Sequence, residues 1–425
     1  MFAAPAQIDS YQTLLDRLQR ARAQTDALFG IVRADSLYDR PLPERHRIVF
    51  YLGHLEAFDW NLLRTRVLNQ PPFDASLDRL FAFGIDPVDG GLPSDQPGDW
   101  PALDQVRSYG ARIRETLDAE LSRSEAAEAI LLHTATEHRL MHAETLAYML
   151  HQLPSDKKIR QPQPEIAERG AVRQETIEIP GGCVTLGLSR DAATFGWDNE
   201  FEAHPVSVPA FSIDRYKVTN GAYLKFVQAG GYNQRSLWSD SDWAWKTAQG
   251  ISHPVFWKED RDGWLLRGMF EEIPLPASWP VYVSHAEASA YAKWAGKRLP
   301  TEAEWQRAAG GLPPESRLGQ EHGYFDFARW DPAPVNAFPQ ARSAFGVEGL
   351  LANGWEWTAT PFQPFPGFQA FPFYEGYSAN FFDGKHFVMK GGSMRTDRSM
   401  LRPSFRNWFQ PHYQYVYAGF RCAGK

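Results

Sequence analysis

The chain has 425 residues, 43% of them hydrophobic and 22% charged, which is ordinary globular usage in a length that suggests two domains. Its 51 acidic and 44 basic side chains leave a formal charge of −7, so a nucleic-acid backbone finds no general attraction here. Two cysteines, Cys183 and Cys422, exclude a disulfide framework and a multi-thiolate zinc site, so any metal must be held by histidine and carboxylate. No apolar run approaches the roughly 18 residues of a spanning helix, and the opening residues do not read as a secretion signal, so the expectation is a soluble, cytoplasmic protein without a membrane partner.

In chain order, Tyr11 to about Leu153 is rich in Ala, Leu, Glu and Arg at helical spacing and predicts a helical bundle over residues 1–153. One helix is expected within 42–66, placing His54 on a stripe with Arg47, Tyr51 and Phe58. A second is expected from Ser122 to Leu153, opened by a Ser122/Glu125 capping box. In it His138 and His142 stand four residues apart, one turn above the other, on a face with Leu131, Ala135, Thr145 and Met149. That face points to the bundle interior, where one histidine opposite two could make a three-nitrogen site with open positions on a divalent ion. The alternative is a set of hydrogen-bonded core histidines. His133 and His151 lie off this face or near the helix end and read as surface residues. Glu137 and Glu144 read either as orienters of the imidazole N–H groups or as solvated charges.

Residues 154–170 are polar, with three prolines, and suit a linker. From about residue 171 the text changes to short strand-like runs (176–182, 206–219, 386–393, 417–423) broken by Gly, Pro and Asn, with two helical patches near 219–229 and 284–296. All but two of the 15 tryptophans follow residue 150. The predicted class is α+β.

The motifs KRLPTEAEWQRAA (297–309), NGWEWT (353–358), KGGSMRT (390–396) and YAGFRCA (417–423) resemble the formylglycine-generating-enzyme-like domain, a variant of the C-type lectin fold. GHLEAFDWN (53–61) and EHRLMHAE (137–144) resemble the DinB-like four-helix bundle that precedes this domain in the ergothioneine sulfoxide synthase (EgtB) family. The resemblance implies Fe(II) bound by His54, His138 and His142, and O2-dependent attachment of a small thiol's sulfur to C2 of the imidazole of hercynine, trimethylated histidine. It also implies hercynine contacts from Asn407 and Trp408 of RNW, and an acid on a tyrosine, first Tyr377 and then Tyr374. Phe371 or Phe373 in the acid's place would require another proton source.

Several residues depart from that pattern. Thr396 and Leu401 stand near where formylglycine-generating enzymes carry catalytic thiols, which sets that activity aside; Cys422 reads as buried and structural. Met141 replaces a glutamine that aids hercynine binding. Phe409 and Tyr413 replace an Asp and an Arg that grip γ-glutamylcysteine. GHLEAFDWN and SFRNWFQPHY lean toward the selenoneine synthase branch, with a selenosugar as donor. The alternatives are a synthase using cysteine or γ-glutamylcysteine, a sulfoxide synthase acting at the five-position of free histidine, and a non-catalytic module binding a small cation.

Overall fold

In the computed structural model the described residues are 10–64, 68, 70–82, 93–123, 128–165, 172–192 and 194–424. The chain divides into two compact units, one ending at Gln161 and one beginning at Pro162, with residues 194 and 195 grouping with the first.

The first unit is built on four long helices, α1 (Tyr11–Gly30), α2 (Ile48–Leu63), α4 (Leu103–Arg123) and α5 (Ala129–His151), with the short α3 (Ala75–Leu80) between α2 and α4. Ser10 caps α1 by accepting from the Thr13 amide, and Leu14, Leu18, Ala21, Thr25 and Leu28 then form its buried stripe. α1 packs on α5, and α2 packs on α4 and α5. α5 is buried on nearly every side, so its polar residues lie in the interior.

Two expectations for this unit are corrected. Ser122 does not open the histidine helix: it sits in the last turn of α4, its hydroxyl donating to the Asp118 carbonyl at 2.6 Å. α5 begins at Ala129 after an uncapped Glu128, and Glu125 lies outside the described residues. A serine followed three residues on by glutamate is a start signal only when the chain before it is not already helical. His151, read as surface, is buried. The helix expected within 42–66 is α2, which starts at Ile48 after Pro41 and Pro43 in a stretch of turns.

The polar stretch after α5 is anchored at its start. Lys158 bridges Val32, and the Ile159 amide donates to the Ile31 carbonyl at 2.7 Å, tying this part to the first unit. Gln163 donates to Asp331 at 2.8 Å in the second unit, and residues 166–171 lie outside the described set.

The second unit is loop-rich, as its composition predicts. β1 (Thr176–Ile179) and β12 (Ala423–Gly424) flank β4 (Phe211–Asp214), both antiparallel, and β2 (Gly182–Leu186) pairs with β3 (His204–Val208). β5 (Trp257–Asp260), β6 (Gly263–Arg267) and β7 (Glu272–Pro274) form a small meander. The main sheet runs β10 (Asn407–Phe409), β9 (Phe387–Gly392), β8 (Gly354–Pro361), β11 (Ala418–Gly419), with β11 parallel to β8.

The predicted helical patches are α6 (Asn220–Gln228) and α8 (His285–Trp294). Two further helices were not predicted, α7 (Asp240–Ala248) and α9 (Glu302–Ala308). Both carried legible signals: Ser239 caps the Asp242 amide, and Thr301 and Glu304 form a complete capping box.

The four motifs of this unit converge on one buried charge cluster. Glu356 of NGWEWT takes two bonds from Arg421 of YAGFRCA, at 2.6 and 2.7 Å, and one from the Trp305 indole of the EAEW motif at 3.1 Å. Lys217 approaches the same carboxylate at 3.1 Å, and burial pushes its ammonium down to about 8. Lys390 of KGGSMRT donates to the carbonyls of Pro403 and Phe405, 4.0 Å from Glu302. Gly391 beside it has φ of +85°, and a Cβ there would meet the Leu350 carbonyl oxygen at 2.4 Å, so only glycine fits. Burial drives the Cys422 thiol far up, which keeps it inert as expected, while Cys183 is exposed. Among the described residues no helix is long and apolar enough to cross a membrane.

Candidate metal centre and aromatic cluster

The site in the first unit follows from two helices facing each other. His138 and His142 project from successive turns of α5, and His54 projects from α2. Ring centroids are 4.5 Å apart for His138 and His142, 4.9 Å for His54 and His142, and 5.5 Å for His54 and His138. One ligand atom from each lies within 4.8 Å of the others, and all three side chains are buried. Among the described residues this is the group of histidine, cysteine and carboxylate side chains arranged to hold a metal.

Aromatic side chains of α2 wall the site. Phe58 stacks on His138 at 3.4 Å and Phe50 on His54 at 4.9 Å, while Tyr51 lies 5.9 Å from His142. The Phe81 carbonyl receives the His54 Nδ1–H at 2.7 Å, which fixes the tautomer and leaves Nε2 as the free lone pair. Gly53 makes that contact possible, since a Cβ at this position would come within 2.5 Å of the Phe81 ring.

Electrostatics hold the three rings neutral. Burial lowers His54 to about 4, against the raising effect of its bond to Phe81. Burial also lowers His138 and His142 well below the usual imidazole range; His138 is disfavoured further by His142, His54 and Arg139, and His142 by His54, Arg45 and Arg139. Neutral imidazoles with available lone pairs are what a divalent cation requires.

The donor set fits such an ion. His54 Nε2 and His142 Nδ1 are buried without a hydrogen-bond partner, an arrangement that costs about 1–3 kcal/mol per atom unless something satisfies it. Three neutral nitrogens on one face leave coordination positions open for small ligands. Glu137 and Glu144, read from sequence as orienters or solvated charges, are both buried and hence not solvated. Met141 is half-buried one residue before His142. His133 is half-buried, with Nδ1 3.5 Å from Arg17.

In the second unit the remaining candidates fall into two groups. Trp408 stacks face to face on Phe362 at 4.1 Å and meets Tyr377 at 5.4 Å and Phe381 at 5.6 Å. Tyr377 stacks on Trp197 at 4.0 Å and lies 5.5 Å from Tyr374, so both tyrosines share this cluster with Trp408. The alternation of β10 turns Asn407 and Phe409 to the other side of the strand from Trp408. The Asn407 carboxamide accepts from the Trp408 amide at 2.9 Å, and Phe409 stacks on Tyr413 at 5.0 Å. Phe371 and Phe373 stack on each other at 4.9 Å.

One residue that sequence reading missed organises this cluster. Asp198, fully buried beside Trp197, accepts from the Ser378 hydroxyl at 2.5 Å and from the Phe371 amide, so it brackets both ends of the segment bearing Tyr374 and Tyr377. Burial raises its carboxyl to about 6 against those bonds. Nothing in the text around Trp197 distinguishes this aspartate from a solvated loop residue.

Comparison with known proteins adds a second line. Residues 161–425 match the family described as Sulfatase-modifying factor enzyme 1-like domain. The Hercynine oxygenase of Mycolicibacterium smegmatis is 35% identical over 97% of this chain and 98% of its own length. That of Mycobacterium tuberculosis is 37% identical over 75% of this chain and 77% of its own. Ergothioneine biosynthesis protein 1 of Neurospora crassa is 27% identical over 91% of this chain, which spans 55% of that longer protein.

Proposed function

We infer the activity from kinship and geometry together, starting from the premise that the chain belongs to the hercynine oxygenase family and carries its sulfatase-modifying-factor-like domain. It is an O2-dependent mononuclear non-haem Fe(II) enzyme joining a small chalcogen donor to C2 of the hercynine imidazole, with a selenosugar as the favoured donor. The single observation that carries the reading is the buried triad of neutral histidines with ligand atoms within 4.8 Å.

His54, His138 and His142 would hold the ion, and a ferrous ion bound there would supply O2 activation and an anchor for both substrates. The protein's own groups do the rest. Phe81 holds the proton of His54 on Nδ1 and so aims Nε2 into the site. Phe50 and Phe58 keep water from the imidazole faces. Hercynine's trimethylammonium group offers no N–H donor, so aromatic faces must recognise it, and a desolvated contact of that kind is worth about 2 kcal/mol. Trp408 and its ring neighbours suit that task, with Asn407 offering a polar contact. Tyr377 Oη is the first candidate to give up a proton, and Tyr374 Oη the second.

What favours selenium is the donor side. Phe409 and Tyr413 form an uncharged stack where a charged grip for γ-glutamylcysteine would be expected, and this suits a less ionised donor. A second reading, hercynine sulfoxide synthesis from cysteine or γ-glutamylcysteine, is supported by the similarity to hercynine oxygenases and to an ergothioneine biosynthesis protein. The test is anaerobic loading with Fe(II), admission of O2, and mass analysis of hercynine incubated separately with selenosugar, cysteine and γ-glutamylcysteine. Selenoneine formation with the first supports the favoured reading, a sulfoxide with either thiol supports the second, and no adduct with any donor overturns both. Free histidine as acceptor separates the five-position alternative. A merely cation-binding module would hold hercynine equally well after His54→Ala and retain no stoichiometric iron.

A further inference from the structure

We propose that Arg139 is the positioning residue of the three-histidine site, fixing the register of α5 against α2 and thereby the placement of His138 and His142 relative to His54. Arg139 directly follows His138 and is completely buried. Its guanidinium crosses to α2, donating to the Leu55 carbonyl at 2.9 Å, to Glu56 Oε1 at 2.9 Å and to Asp59 Oδ2 at 2.7 Å. Leu55 directly follows His54. The residue beside one ligand therefore grips the backbone beside another, and a slip of one helix by a single residue, about 1.5 Å of rise, would break all three bonds.

The acceptors are themselves held from behind. Glu56 Oε1 also accepts from Arg114 of α4 at 2.7 Å, and Arg114 is paired with Asp26 of α1 through both nitrogens, at 2.7 and 2.8 Å. Arg22 of α1 lies 3.9 Å from Asp59 and 2.6 Å from Asp118 of α4. Charge of alternating sign thus runs through all four long helices, and Arg139 is its link between the two that carry histidines. Burying this much charge is costly where apolar packing could hold the helices together, so what it adds is a specific register. The planar fork of arginine can serve three acceptors in fixed directions, which the single ammonium of lysine cannot.

The inference rests on the imidazoles holding a divalent ion, and the experiment separates the two ideas. The full-length apo protein is titrated with Co(II), following the visible absorption of bound cobalt, with helical circular dichroism and melting recorded for every variant. Four proteins are compared with the unaltered one: Arg139→Lys; the triple variant Glu56→Leu, Asp59→Leu, Arg139→Met, which removes the charges without stranding any; His54→Ala, as the variant lacking a ligand; and Leu28→Ala, a core truncation far from the histidines in sequence. Arg139→Lys and the triple variant are expected to stay helical but to bind Co(II) about 10–100-fold more weakly with an altered spectrum, as for loss of a group that orients ligands. Leu28→Ala is expected to melt earlier yet keep the affinity and spectrum of the unaltered protein. Unchanged cobalt binding in a helical Arg139→Lys or triple variant overturns the proposal. An equal loss in Leu28→Ala overturns it too, because general looseness would then explain the effect. No cobalt binding by the unaltered protein, or undiminished binding by His54→Ala, removes the metal centre itself and the inference with it.

Discussion

In the first unit buried charges stand between helices, as Arg139 does from α5 to α2 and Arg114 from α4 to α1 and α2. In the second unit they are knotted inside a mesh of short strands and loops, with Glu356, Arg421 and Lys217 in one cluster and Glu200 and Arg402, joined by the Ser404 hydroxyl, in another. Helices satisfy their own backbone, so buried charge in the bundle is left to choose register. Loops cannot do this, so in the second unit Lys390 and Arg421, besides their charged neighbours, bond the carbonyls of loop residues Phe405, Arg215 and Glu348 and hold those segments in place. The two candidate surfaces inherit this difference: three polar rings on rigid helices in one, a wall of aromatic rings on bracketed loops in the other.

The sharpest way to break the contrast is to remove a ring of the triad. His138→Ala should lower divalent-metal affinity by at least about 100-fold and abolish turnover, with the second unit's tryptophan fluorescence unaltered; metal content after dialysis and an emission spectrum check both halves. Next in size is Asp198, which tests whether the loop mesh depends on buried charge. Its folded carboxyl titrates near 6, above the ordinary value of 3.8, so folding favours the protonated form. The native state should therefore lose stability as pH rises from about 4 to 6, by up to about 3 kcal/mol, and lose no more above that. Asp198→Asn should show a smaller loss over that window, measured by denaturant melts at pH 4, 5, 6 and 7; parallel curves for the two proteins would contradict the assignment.

Gly53→Ala probes the rigid side, since its Cβ would collide with the Phe81 ring. A cost of about 1–3 kcal/mol in thermal stability is expected, together with weaker metal binding because Phe81 carries the carbonyl that orients His54. The smallest effect is expected at the aromatic wall. Trp408→Ala should raise the hercynine Kd by about 30-fold, the equivalent of about 2 kcal/mol, while leaving metal content unchanged. A loss of metal in that variant would show that the two surfaces are not separable in the way their construction suggests.

Much of this was legible in the text. The pair His138/His142 declared itself by four-residue spacing on an interior face, and the change from helical periodicity to short runs marked the second unit's character. Other features were written but misread. Ser122 and Glu125 have capping-box spacing yet Ser122 ends a helix, while Thr301 and Glu304 have the same spacing and do begin one. Local pattern cannot tell these apart, because the difference lies in whether the preceding chain is already helical.

The sequence by itself determined the α+β class, the helical periodicity that turns His138 and His142 to one face, the absence of a multi-thiolate metal site and the concentration of tryptophan after residue 150. Tertiary structure decided that His54 meets that pair, that Arg139 and Leu55 tie their helices in register, that His151 is buried, and that Asp198 brackets the tyrosine segment from about 180 residues away. The physical reason is one of range. Periodicity and composition report which side of an element is apolar, whereas the partner that satisfies a buried polar group is chosen by packing between elements distant in the chain.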